Sequence, residues 1–426
     1  MKLSVKTSKD TMKYIVDGIK YVCINFKNRA PGTESERNCQ TFFAKELEQW
    51  SDSVEVEDFD LHPKSFMGWI PLAGVLSIIS VILFWLRPIC NSIALPIVML
   101  LITAFGVCCF IFQFMLYRKF VDFLFPKAVS RNVMARRSPK GEVKRRIIFG
   151  GHADAANEWT YSLHGQIKSL APVMGGSIGG LFVITFANIA LLIQTIVTGS
   201  VVPIEGFWKV MGVIELILIP FFFAICFFIN WNVVVDGAND NLSACYISMA
   251  MLKDMAENDF RFENTEVCCL ISGSEEAGLR GALAYAQKHK DELNEIESIY
   301  ISMDTMHEIE QLQVYTQGQT GTQKDSEAVG ELVTEAGINC GINMPKADIY
   351  PGAVDAEGFS RNGLLACGFC GVNHDPKTYY HTRLDSYDNI NEECIELSLN
   401  ICKEAANLYD KNGGIAYYEA KVKNKK

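Results

Sequence analysis

His152, Asp240, Glu275, Glu276, Asp304 and His381 are the residues of this sequence best suited to holding divalent cations and moving protons. Imidazole and carboxylate donors with no thiolate among them suit a borderline ion such as zinc, or manganese or cobalt. One ion takes three or four such groups. Five of them (His152, Asp240, Glu276, Asp304, His381) are enough for two ions sharing a bridging carboxylate, as in two-metal hydrolases whose ions sit about 3.5–4 Å apart. Glu275, adjacent to a ligand but not needed as one, is then available to take a proton from the attacking water. Asp154 follows His152 by two positions, so in extended chain both point the same way. It can accept the second imidazole N–H and fix the ring.

These residues gain weight from where they fall. Arg145–Gly150 reads as a strand running into Gly151-His152-Ala153-Asp154, Glu266–Ser272 runs into Gly273-Ser274-Glu275-Glu276, and Ser298–Met303 ends at Asp304. In open α/β sheets, ligands bind at the carboxyl ends of the strands. The remaining candidates open a helix (Gly237 to Asn241) or lie in a loop (Tyr380 to Asp385). Singly, each residue has an ordinary structural explanation as a core histidine, a solvated helix start or a cap. Jointly they converge on one crevice.

The positioning elements follow from periodicity. Thr33–Trp50 reads as an amphipathic helix after the Pro31-Gly32 turn, and Val54–Leu61 alternates as a strand. Val129–Ala135 and Arg145–Gly150 read as strands joined by the Ser138–Gly141 turn. Asn241–Ala256, Leu279–His289 and Asn391–Leu408 read as helices, and Leu364–Cys370 as a further buried strand. The expected class is α/β, a mostly parallel central sheet flanked by helices. There is no internal repeat, and the Lys421–Lys426 tail reads as a solvated basic end.

Composition adds a second body. Of 426 residues 49% are hydrophobic, and 39 lysines and arginines face 49 acidic residues for a net charge of −10. The runs Phe66–Leu86, Ile93–Tyr117, Leu170–Thr198 and Val210–Asn230 hold a single formal charge, Glu215. Each reaches the roughly 20 residues that span a bilayer core of about 30 Å as a helix. They are read as two transmembrane hairpins, 66–117 and 170–230, which return the chain to its starting side. Residues 1–65, 118–169 and 231–426 are then free to form one domain. A wholly soluble enzyme, a purely embedded channel and, given the acidic balance, a nucleic-acid binder are all disfavoured.

Near the helix ends, one side carries Lys64, Arg118, Lys119, Lys127, Arg131, Arg136, Arg137 and Lys168, the other Arg87 and Lys209. The positive-inside bias places the polar body in the cytoplasm. The 14 scattered cysteines, without a CxxC pair, and a beginning (Met1–Phe26) broken by Asp17 and Lys20 agree with that side. Gly175 to Gly179 match the GxSxG pattern around Ser177, but inside an apolar helix small residues serve close packing. Glu215 is the one intramembrane carboxylate, the kind of residue that marks transport paths.

The stretches SRNVMARR and RRIIFGGHADA within Ser130–Ala155, DGANDNLSA (Asp236–Ala244), LISGSEEAGLRGA (Leu270–Ala282), YISMD (Tyr300–Asp304), Asp355–Cys370 and YYHTRLDSYDNI (Tyr379–Ile390) occur in an order that resembles the dizinc exopeptidases of metallopeptidase family M28. That family includes bacterial leucyl aminopeptidases and the glutamate carboxypeptidase group. The resemblance implies the family's phosphorylase/hydrolase-like zinc exopeptidase fold, with His152 and Asp304 on one metal, Glu276 and His381 on the other and Asp240 bridging. It implies a cis Asp240–Asn241 peptide, Glu275 as general base and Tyr380 steadying the tetrahedral intermediate. A membrane-anchored aminopeptidase acting on peptides is expected, with a carboxypeptidase or a silent metal-binding scaffold as alternatives. The sequence departs from the family in its two inserted hairpins, in Ala153 and Ala155 around the HxD motif, and in the expected cytoplasmic face.

Overall fold

The structure, a computed structural model, describes residues 2–318, 321–347, 352–372 and 379–425. The chain divides into two compact units, one of Met1–Pro63, Lys127–Asn157 and Asn232–Lys426, the other of Lys64–Pro126 and Glu158–Trp231. The strands in chain order are β1 Ser53–Leu61, β2 Ala128–Arg137, β3 Arg145–His152, β4 Asn157–Trp159, β5 Ile229–Val234, β6 Thr265–Ser272, β7 Glu297–Met306, β8 Gln313–Tyr315, β9 Lys346–Ala347 and β10 Leu365–Gly371. Eight of them form one sheet in the order β1-β2-β6-β3-β7-β10-β8-β9, and β4 pairs with β5.

The centre of the large sheet, β6-β3-β7-β10, is parallel, and its outer pairs β1-β2, β2-β6 and β10-β8 are antiparallel. The reason is legible in the side chains. The strands β3 and β6 are buried almost throughout, as continuous apolar runs covered on both faces must be. The edge strand β1 is mostly exposed and presents charged groups such as Glu55 and Asp58 to solvent, which discourages edge pairing with another chain. The expected Ser138–Gly141 connection does join β2 to β3 in sequence, but β6 lies between them in the sheet. Local turn chemistry cannot reveal such an insertion from a strand 130 residues away.

Two helices precede the sheet: α1, Lys9–Asn25, capped by the Ser8 side chain, and α2, Glu34–Leu47, capped by Thr33. At the end of β3, an added Cβ on Gly150 would meet the Leu270 carbonyl oxygen at 2.4 Å and one on Gly151 would meet Ala244 Cβ at 2.6 Å. Only glycine lets this strand pack so closely before His152. The basic tail is not simply solvated. The helix Ala416–Lys425 brings the Lys421 ammonium to 2.7 Å from Glu335 and 3.1 Å from Glu331, while residue 426 lies outside the described residues.

Asp325 is buried with one carboxyl oxygen lacking a hydrogen bond, and burial pushes its pKa up to about 7. Its folded pKa thus exceeds its unfolded one, so the stability it contributes at low pH is lost as pH rises from about 4 through about 7. Asp325→Asn is therefore expected to flatten the fall in unfolding temperature between pH 4 and pH 8. Thermal melts across that range check this, and parallel pH slopes for the two proteins would contradict it.

The second unit holds four helices long and apolar enough to cross a membrane: Ser65–Cys90, Leu95–Met115, Gln166–Thr198 and Gly206–Ile225. The fourth apolar run is not helical to Asn230. Apolar composition continues past Ile225, whereas the backbone turns and enters β5 at Ile229, a change that hydropathy does not register. The helices interlock through small residues. A Cβ on Gly176 would meet the Phe221 ring at 2.5 Å and one on Gly180 the Phe222 ring at 3.0 Å, whereas Gly175 and Gly179 face open space. Ser177 Oγ donates to the Val173 carbonyl at 2.6 Å and the Phe221 carbonyl at 3.0 Å, a packing role without a nucleophile's strand-to-helix turn. Asn188 Nδ2 donates to Ser80 Oγ at 3.0 Å, and Arg87, counted in sequence as a far-loop charge, is buried over the Phe84 ring. Arg136 and Arg137 are likewise no free surface charges, since Arg136 pairs with Glu292 at 2.6 Å and Arg137 donates to backbone carbonyls.

Candidate metal centre

Parallel register brings the chemistry together. His152 on β3 lies level with Ser272 on β6, and Gly150 with Ser302 on β7, so His152, the turn after β6 and Asp304 share one end of the sheet. Asp240 enters from the segment Ala238–Ser243, and His381 from the loop after the described residues resume at 379. His152 Nε2 lies 3.2 Å from Asp240 Oδ1 and 3.7 Å from Asp304 Oδ2. His381 Nε2 lies 3.0 Å from Asp240 Oδ2 and 3.2 Å from Glu276 Oε1. Glu275 Oε2 is 3.9 Å from His152 Nε2. All six sequence candidates thus meet in one place.

Three donor triplets have their atoms within 4.8 Å of one another: His152–Asp240–Asp304 and Asp240–Glu276–His381, which share Asp240, and His152–Glu275–Glu276. Donors at about 2.1 Å from a tetrahedral ion lie roughly 3.4 Å apart, which matches these separations. His152 Nε2 is buried and has no hydrogen bond although carboxylates surround it, as a nitrogen lone pair aimed at a cation would be. The charges point the same way. Burial pushes the Glu275 carboxyl well up, with His152 opposing and Glu276 adding, and burial followed by the Asp240 charge raises Asp304. Burial raises the Asp240 carboxyl, but the two imidazoles beside it outweigh that and hold it below the usual carboxylate range. Four carboxylates crowded in a buried crevice are mutually repelling until positive charge joins them.

The supports are equally specific. The Asp240–Asn241 peptide is cis, as the resemblance implies. Asp385, which the sequence reading left without a role, accepts from Asn239 N–H and Asn239 Nδ2 at 2.8 Å each and from Asp240 N–H at 3.1 Å. Its place four residues after His381 was the available signal. Asn241 Nδ2 donates to the Met303 carbonyl at 2.9 Å, tying this segment to β7. Asp154 stands 3.4 Å from His152 Nδ1, whose nearer contact is Asp154's own carbonyl at 3.3 Å. The Asp154 carboxylate also accepts the N–H groups of Glu275 and Glu276, each at 3.0 Å, a duty that spacing alone did not suggest. Tyr380 stacks on the His381 ring with centroids 4.0 Å apart. Ser274, Thr305 and His381 all hold positive φ without being glycine, the local strain typical of positioned sites.

Residues 228–406 match the family model described as Peptidase family M28. Among solved structures, the aminopeptidase from Aneurinibacillus sp. strain AM-1 is similar at 13% identity, covering 93% of each chain with a TM-score of 0.54. BSAP, a zinc aminopeptidase from Bacillus subtilis, is similar at 12% identity, 95% coverage of each chain and a TM-score of 0.53. A glutaminyl cyclase from an Acidobacteriales bacterium is similar at 10% identity over 95% of this chain and 97% of that one, with a TM-score of 0.52. At these identities the likeness is one of fold. No curated protein matches the sequence.

Proposed function

From the premise that this chain carries a peptidase family M28 region over residues 228–406, we propose that it is a membrane-anchored metallo-exopeptidase, an aminopeptidase using two zinc ions. The observation that carries this reading is the pair of donor triplets sharing Asp240, with Glu275 at their edge. His152 and Asp304 would hold one ion, Glu276 and His381 the other, and Asp240 would contribute to both. When bound, the ions polarise the scissile carbonyl and make the attacking water more acidic. Glu275 takes the proton from that water and passes it to the leaving amine. Tyr380 donates a hydrogen bond to the developing oxyanion, an interaction that strengthens toward the transition state. Asp154 orients His152 and the Glu275–Glu276 backbone. Aminopeptidase activity is favoured over carboxypeptidase by the aminopeptidases among the similar folds.

The four apolar helices anchor the chain in a bilayer. The exposed cations Lys64, Arg118, Lys119 and Lys168 against Lys209 support a cytoplasmic catalytic face.

The full chain, purified in detergent, is expected to bind two zinc ions by elemental analysis and to cleave peptides with a free N-terminus. N-acetylated peptides should be spared, amidation of the C-terminus should have no effect, and a chelator should stop turnover until zinc is restored. Metal-replete protein that cleaves no peptide end would overturn the reading. Cyclisation of N-terminal glutamine without cleavage would redirect it to the chemistry named for the Acidobacteriales relative.

A further inference from the structure

We propose that Glu36, far in sequence from the metal-binding residues, is a positioning residue for the Glu275–Glu276 turn, holding its first backbone N–H as Asp154 holds the next two. The proposal rests on the two-ion peptidase reading of the site. Thr33-Glu34-Ser35-Glu36 has the spacing of a capping box, in which Thr33 Oγ1 accepts the Glu36 N–H and the glutamate returns to the Thr33 N–H. The first half is present, at 3.2 Å. The second is not, because the Thr33 N–H donates to the Ala30 carbonyl at 3.1 Å. The glutamate turns inward instead and is fully buried.

There its Oε1 accepts from the Ser274 N–H at 2.7 Å, from Ser274 Oγ at 2.9 Å and from Ser130 Oγ at 2.8 Å, while Oε2 accepts from the Gly32 N–H at 2.6 Å. Asp154 takes the next two N–H groups, those of Glu275 and Glu276. Three successive backbone donors of the turn are thus each held by a buried carboxylate. Ser274 sits at φ 54°, ψ 42°, a left-handed conformation that a serine keeps only when its surroundings impose it. Glu36 supplies two of the bonds that do so. Behind it, a Cβ on Gly273 would meet the Arg131 carbonyl, Gln40 Nε2 and Ser130 Oγ at 2.4 Å each, so the turn is pressed against α2 and β2.

Every partner of Glu36 is a neutral donor, and no cation pairs with it among the described residues. Burial, and then the charge of Asp154, push its pKa up to about 8. Burying such a group costs desolvation that its four hydrogen bonds must offset, so it is weak evidence of a purely stabilising role. What the carboxylate provides is a fixed aim for Glu275 and Glu276, the role that outer-sphere partners of metal ligands play elsewhere.

The test uses the full chain and reads zinc affinity by competition with a chromogenic chelator, alongside kcat and KM on a peptide substrate. Glu36→Ala is expected to weaken zinc binding about 10–100-fold and, at saturating zinc, to lower kcat with KM nearly constant. Glu36→Gln, which keeps a carbonyl acceptor for the Ser274 N–H, should recover most of both losses, and Ser274→Ala should show a smaller loss of the same kind. Zinc affinity and kcat of Glu36→Ala close to wild type would overturn the proposal. Equal losses in Ala and Gln variants with a lowered unfolding temperature would also overturn it, assigning Glu36 to packing. If wild type cleaves no peptide but Glu36→Ala still loses zinc affinity, the clamp stands and the peptidase reading falls. The reverse pattern sinks the clamp alone.

Discussion

Glu275→Gln is expected to lower kcat by about 10²–10⁴-fold, the range by which a positioned general base accelerates proton transfer. The amide has nearly the carboxylate's shape, so the Glu275 N–H bond to Asp154 and the packing of the turn should persist. Neither donor triplet built on Asp240 uses Glu275. Zinc content should therefore stay at the wild-type value and KM should change little, the pattern of an interaction lost only in the transition state. Elemental analysis and initial rates on one preparation decide it. A variant that kept more than about a tenth of wild-type kcat, below the usual share of such a base, would remove Glu275 from the chemistry.

Asp240→Ala should have the largest effect of all, because the two oxygens of this carboxylate serve two different donor sets. Oδ1 faces His152 and Oδ2 faces His381. Removing both leaves His152 with Asp304 and His381 with Glu276, pairs too small to hold a divalent ion tightly. The expected result is metal content below one ion per chain and no measurable turnover at any zinc concentration the protein tolerates. Asp240→Asn, which keeps one oxygen donor, should retain part of the metal. Loss of only one ion from Asp240→Ala would show that Asp240 does not bridge, and full retention would place the metal elsewhere.

Much of the site was legible because its chemistry and its backbone context coincide. His152 ends a buried strand, Asp304 lies near the end of another and Glu276 follows a third, and parallel strands deliver their carboxyl ends to one edge. The apolar helices were legible for a similar reason, since a charge-free run of bilayer length has few other uses. Their ends were less so. The fourth run stays apolar beyond the helix, and Arg87 is buried where sequence counted a loop cation. Glu36 escaped notice because its local pattern has a complete local explanation in the helix cap it only half makes.

Residue type, strand period and hydropathy alone determined the α/β class, the apolar segments and the identity of the six metal and proton-transfer candidates, since each depends on neighbours within a dozen positions. Tertiary structure alone decided that β6 separates β2 from β3, that Asp154 holds the Glu275–Glu276 backbone, and that Asp385 and Glu36 brace the Asp240 segment and the Ser274 turn. Those contacts join positions more than a hundred residues apart. Their partners are common donors and acceptors, which nothing in the linear order singles out until the sheet register sets them face to face.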